Sequence, residues 1–163
     1  MRDYISFSQL NLYSLCGVQY HFKYVLGIKT PATPAQIQGK MYHAALEQNN
    51  RQKIETAVDL SLSHMEDFYS NAVEEAFKEE VFLKAKEKDR GKTAIRDEVL
   101  KKGRIALATY LAEYAPGTQP LDVEKGFFVP LGDHLPPLYG IIDLITTDLR
   151  VVDHKTASKS PSE

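Results

Sequence analysis

The run Leu138-Tyr-Gly140-Ile141-Ile142-Asp143-Leu144-Ile145-Thr146-Thr147-Asp148-Leu149-Arg150-Val151-Val152-Asp153-His154-Lys155-Thr156 places two carboxylates and an ammonium on one β-hairpin. Its flanks are apolar and β-branched, Ile141-Ile142 and Leu144-Ile145 around the first acid and Val151-Val152 before the second. The charges therefore interrupt strands that should belong to a core. Charges in such a setting need partners, and a divalent cation is the simplest one.

Side chains alternate along a strand, so Asp153 and Lys155 share a face. Asp143 joins them if the hairpin is centred on Asp148 with a three-residue loop, Thr147-Asp148-Leu149, because directly opposed residues of an antiparallel pair also share a face. A two-residue loop would separate the acids. No Asn-Gly or Asp-Gly marks such a turn, and Asp148 tolerates the left-handed conformation that the longer loop requires, so the odd loop is expected. Opposed Cβ atoms then lie about 4.5–5.5 Å apart, near enough for both carboxylates to hold one cation.

Working outward, strands are expected over residues 123–130, 138–147 and 150–156, with Gly132-Asp133-His134-Leu135-Pro136-Pro137 as the turn between the first two. The preceding chain reads as helical. Ser6 or Ser8 caps a first helix that Gly27 ends, with the aromatic stripe Tyr13, Tyr20, Phe22 and Tyr24 expected in the core. Residues 28–36, with Pro31 and Pro34, form a loop, and a second helix beginning near Gln38 carries His43 and Leu46. A longer helical region over residues 56–83 buries Ala57, Leu60, Met65, Phe68, Tyr69, Val73, Ala76 and Phe77. Residues 84–92 are a charge-rich break, and a last helix over residues 93–114 stops at Pro116-Gly117. Helices first, then an antiparallel three-stranded meander, gives an α+β class.

Gly140-Ile-Ile-Asp143 followed by Val151-Val-Asp153-His-Lys155-Thr156 resembles the PD-(D/E)XK nuclease superfamily, in particular its RecB-like exonuclease branch. Two further pieces are similar to that branch and stand in the same order. One is Ser6-Phe-Ser8-Gln-Leu10-Asn-Leu-Tyr13-Ser-Leu-Cys16-Gly-Val-Gln-Tyr20-His-Phe22-Lys-Tyr24-Val-Leu-Gly27. The other is Gly39-Lys-Met-Tyr-His43-Ala-Ala-Leu46-Glu47. A lone Asp-x-Lys would carry no information, whereas ordered pieces on elements of the right type do.

The resemblance implies a restriction-endonuclease-like core over residues 1–163, a single domain with a helical region over residues 50–115. It also implies Mg²⁺- or Mn²⁺-dependent hydrolysis of DNA phosphodiester bonds. Asp143 and Asp153, with His43 and the backbone carbonyl of His154, would hold the metal, while Lys155 completes the catalytic set with the two acids. Glu124, on the first strand, resembles an additional acid of the site, although a charged strand start also serves simply as a solubilising edge. Glu47 is expected to orient His43 or to face water. Iron–sulfur members of the branch use a cysteine near Cys16 together with three others. This chain has one cysteine, so no cluster can be built from it alone, and Cys16 reads as a small buried apolar side chain. The family core continues beyond the third motif with a helix and a strand, so the chain is expected to be incomplete at its C-terminus, with an unpaired sheet edge open to self-association.

Composition is consistent with this and excludes other classes. At 163 residues with 43% hydrophobic content, one respectable core can be buried. A net charge of −2 argues against a basic protein that coats nucleic acid but not against a nuclease, whose metal supplies positive charge locally. The single cysteine rules out an intramolecular disulfide framework, no apolar run is long enough to span a membrane, and a cytoplasmic location is expected. No Gly-x-x-x-x-Gly-Lys run supports a phosphate-binding loop. DNA is the expected partner, with a helicase or recombination protein beside it. A non-catalytic nucleic-acid-binding or recombination-associated subunit on the same scaffold, and a plain α+β interaction module with surface ion pairs, stay open.

Overall fold

A computed structural model describes residues 3–156. The chain is α+β, with a mixed four-stranded sheet. β1 (Ile5–Ser6), β2 (Pro120–Val129), β3 (Leu138–Thr146) and β4 (Val151–Val152) are arranged around β3, which lies between β1 and β2 and also pairs with β4. The expected three-stranded meander is thus corrected by one strand. Ile5 and Ser6 are extended ahead of the first helix and pair in parallel with Leu138 and Tyr139, which occupies backbone groups of β3 that would otherwise lack partners.

Contacts divide the chain into two compact units, residues 1–30 with 124–142, and residues 31–123 with 143–163. In the first, Ser6 caps α1 (Phe7–Leu15): its hydroxyl accepts from the Gln9 N–H while the Gln9 side chain accepts from the Ser6 N–H. The helix is not continuous to Gly27 as expected. Cys16, half-buried, is extended and interrupts it, α2 (Gly17–Tyr20) resumes it, and a π-turn over His21–Val25 leads to Gly27 at φ 69°. The aromatic stripe is not core either: Tyr13 and Phe22 are exposed, and Tyr13, Tyr20 and Tyr24 stack on one another instead. Their spacing is helical, but the interruption at Cys16 breaks the single face on which it was counted.

The second unit holds the main core. α3 (Pro34–Thr56) starts four residues earlier than expected, because Thr33 and Gln36 form a reciprocal cap and Pro34 takes the first helical position. The expected 56–83 helix is instead α4 (Leu62–Lys78), separated from α3 by Ala57 in the left-handed conformation and by a new cap at Ser61. Its face Met65, Tyr69, Val73 and Phe77 is buried at i, i+4 spacing, with Leu60 buried just before it. Phe68 and Ala76 are partly buried. The charge-rich break folds as a short helix, α5 (Ala85–Arg90), whose Glu87 accepts from the Lys84 N–H. α6 (Lys92–Thr109) ends in a π-turn over Tyr110–Tyr114 and a 3₁₀ turn over Ala115–Gly117. Gly103 of α6 lies under the Tyr69 ring, where a Cβ would come within 2.0 Å of it, and this close approach lets the Tyr69 hydroxyl donate to the Val99 carbonyl.

A buried polar network fixes α3 to the turn that follows it. Lys53 Nζ donates to Asp59 Oδ2 at 2.7 Å and to the Ala115 carbonyl at 2.6 Å, and Asn49 donates to Asp59 and accepts from the Leu60 N–H. Tyr110 donates to Asn50 at 3.0 Å. Each polar group is paired, so the charges can be buried without a large penalty. The consequence for the site is a rigid α3.

Candidate active site

His43 lies one turn after Gly39 on α3, followed by the buried pair Ala45-Leu46. Its Nδ1 is 3.4 Å from Asp143 Oδ2, on β3, a hundred residues along the chain. Both side chains are mostly withdrawn from water, Asp143 being 15% exposed and His43 30%. A spacing of this size suits two ligands sharing one ion, since bonds of about 2.0–2.2 Å at near-right angles hold ligand atoms about 3 Å apart. A carboxylate oxygen and an imidazole nitrogen are donors that Mn²⁺ and, with more oxygens, Mg²⁺ accept.

The hairpin has the expected register. Leu144 opposes Val152 and Ile145 opposes Val151, and Thr146 N–H donates to the Arg150 carbonyl around the three-residue loop 147–149. The left-handed residue is Leu149, at φ 62°, rather than Asp148. Three-residue loops place the left-handed conformation at their last position, and Asp148 instead accepts from the Thr146 hydroxyl and from Arg150 Nε. Arg150 and Thr146 thereby close the loop.

Beyond Val152 the ladder stops, so the expected strand over residues 150–156 is only two residues long. The register would next oppose Asp153 to Asp143, but the His154 N–H donates to the Asp143 side chain, Oδ2, at 2.8 Å. Asp153 and Lys155 are 60% and 70% exposed and pair with each other at 2.8 Å. Among the described residues, Asp153 offers no oxygen within ligand distance of the His43 and Asp143 pair. Alternation is nevertheless kept: Asp153 and Lys155 point one way and His154 the other.

His154 is the residue whose part sequence reasoning missed. Its ring stands edge-on to His43, centroids 6.2 Å apart, and to Tyr110, at 5.8 Å. Burial holds its imidazole below the usual histidine range; Asp143 opposes that shift and His43 adds to it. The signal was present in the alternation itself, which turns His154 inward whenever its neighbours face out.

Gly39 also gains a reason. A Cβ there would lie 3.0 Å from Thr156 Oγ1, so the missing side chain lets the end of the motif lie against α3. Glu47, one turn after His43, is bound to Arg51 at 2.8 Å and so is engaged away from His43. Tyr42, beside His43, is a neutral phenol whose pKa burial, with Tyr110 and Tyr114, pushes up to about 12. Glu124 follows the buried Val123 on β2, is half-buried, and has φ 51°. A left-handed glutamate inside a strand costs about 1 kcal/mol or more and is the kind of strain that collects at functional positions.

No curated protein and no solved structure matches this chain. A family model does, over residues 4–163, which takes in the helical N-terminal piece, the His43 helix and both acids of the hairpin. By that match the chain belongs to the PD-(D/E)XK nuclease superfamily.

Proposed function

We propose that this protein is a DNA exonuclease of the RecB-like type, dependent on Mg²⁺ or Mn²⁺, acting in the cytoplasm on DNA undergoing recombination, repair or phage processing. The observation that carries the proposal is the His43–Asp143 pair, two metal-binding groups from distant parts of the sequence set 3.4 Å apart and largely dry. We assign the cation to His43 and Asp143, with Asp153 joining them by turning in from its surface pair with Lys155, and with Glu124 as an additional acid whose left-handed backbone supports a special role.

Bound there, the cation supplies Lewis acidity and neutralises charge at the scissile phosphate. His43 would offer a ring nitrogen to the cation. Asp143 is held in place by the His154 N–H, which donates to Oδ2, the same oxygen that lies 3.4 Å from His43 Nδ1. Among the described residues Lys155 is tied to an exposed carboxylate, an interaction worth about 0–1 kcal/mol, and can turn toward a phosphate. There its ammonium orients the attacking water and balances the charge that builds as the P–O3′ bond breaks. A helicase or recombination protein would deliver the DNA end.

A second reading, a DNA-binding subunit without catalysis on the same scaffold, is favoured by the exposed Asp153–Lys155 pair, which stands as an ordinary surface ion pair. One experiment separates them: labelled linear and circular DNA incubated with Mg²⁺ or Mn²⁺ and either the wild-type chain or Lys155→Ala. Metal-dependent loss of the linear substrate only, abolished by the substitution, is the expected result. Equal behaviour of the two proteins rules out the role given to Lys155.

A further inference from the structure

Four residues of the third motif lie beyond the last ladder pair, and three of them, Asp153, Lys155 and Thr156, are exposed. What fastens this end of the chain is His154. Its backbone N–H goes to Asp143, and its ring packs edge-on against His43 at 85° and Tyr110 at 83°. Its Nε2 is buried and has no hydrogen-bond partner among the described residues, so the ring acts here through its shape rather than through a hydrogen bond at that nitrogen.

We infer that His154 is a positioning residue, a half-buried ring wedged between His43 and Tyr110 that sets the angle of the His43 imidazole and anchors the exposed Asp153 and Lys155 on either side of it. The inference rests on the nuclease reading above, because it gives His154 no contact with substrate and lets it act only through the groups assigned to metal and phosphate. Tyr110 is itself immobile, buried and bonded to Asn50, so the wedge has a fixed wall. The Thr156 contact with Gly39 continues the same seam along α3.

The test compares wild type, His154→Phe, His154→Leu and His154→Ala in the full chain by Mn²⁺ titration followed by electron paramagnetic resonance, by thermal melting, and by DNA cleavage at saturating metal. Phe keeps a flat ring without the orphaned nitrogen and should match wild type within about 3-fold, with an equal or higher Tm. Ala should weaken Mn²⁺ binding about 10-fold and lower kcat about 10- to 100-fold with KM unchanged, as loss of an outer orienting group does. Leu fills space without a ring and should fall between them; it serves as the second variant if Ala does not fold.

Wild-type Mn²⁺ affinity in folded Ala and Leu variants overturns the inference, as does a Phe variant impaired as severely as Ala. The two levels of failure separate. If wild type binds Mn²⁺ and His154→Ala loses it but neither protein cuts DNA, positioning stands and the nuclease reading falls. If cleavage depends on Lys155 and is unmoved by His154→Ala, the nuclease reading stands and positioning falls.

Discussion

Extending the hairpin register would oppose Asp143 to Asp153, yet one is 15% exposed and engaged by His43 and the His154 N–H, while the other is 60% exposed and, among the described residues, engaged by a lysine two residues away. The first acid is preformed; its neighbours come from α3 and from the chain after β4, and its side chain loses little freedom on binding a ligand. Among the described residues the second is ordered by a surface ion pair, which salt weakens and side-chain entropy opposes. The comparison teaches that, on the proposed reading, the end assigned to the metal is built into the fold, whereas the end assigned to the phosphate would be completed when ligands arrive.

The sharpest way to break that contrast is to neutralise each acid in turn. Asp143→Asn should weaken Mn²⁺ binding by about 100-fold or more and cut DNA hydrolysis by about 1,000-fold, while the same change at Asp153 should weaken Mn²⁺ binding by only about 10-fold. Parallel calorimetric titrations decide it, and equal losses would erase the distinction. Asn at 143 still accepts from the His154 N–H through its amide oxygen, so melting temperature should be little changed. Next in size is Lys155→Ala, expected to lower kcat about 100- to 1,000-fold with Mn²⁺ affinity unaltered. A fall in metal affinity instead would show that the lysine supports the site structurally.

The preformed half was also the more legible half. Parity along two strands put both acids on one face only for a hairpin centred on Asp148, and the absence of an Asn-Gly or Asp-Gly pair chose that three-residue loop over a two-residue one. The left-handed loop residue was misplaced on Asp148, since side-chain tolerance for that conformation is a weaker constraint than its position in the loop. The start of α3 was written in Thr33-Pro34-Ala35-Gln36, a cap, a first-turn proline and a partner for the cap, but the prolines drew the loop too far. What no local pattern could supply were the long-range fixings: Lys53 on the Ala115 carbonyl, Tyr110 on Asn50, and the His154 ring between His43 and Tyr110. These depend on which elements meet, and periodicity does not report that.

A milder perturbation probes the seam that joins the two halves. Gly39→Ala puts a methyl 3.0 Å from Thr156 Oγ1, a contact that a small shift of the exposed chain can relieve. Because that shift moves the segment bearing Lys155 but not Asp143, cleavage should fall about 3- to 10-fold while Mn²⁺ affinity stays near wild type. Thr156→Ser in the same background restores no room, whereas Thr156→Gly should recover most of the loss. If Gly39→Ala instead weakens metal binding, the seam belongs to the preformed end.

The smallest expected effect concerns Glu124, whose φ of 51° strains a non-glycine residue within β2. Glycine removes that strain and alanine does not, so Glu124→Gly should be more stable than Glu124→Ala by about 1 kcal/mol in urea unfolding. Both remove the carboxylate, so both should weaken Mn²⁺ binding to the same degree if the acid contributes to the metal. Stability that rises with glycine while metal affinity drops alike in both variants would mean that the chain tolerates an unfavourable backbone to keep an acid there. Equal stability of the two variants would remove the strain argument, and Mn²⁺ affinity unchanged in both would leave Glu124 as a solubilising residue of the strand.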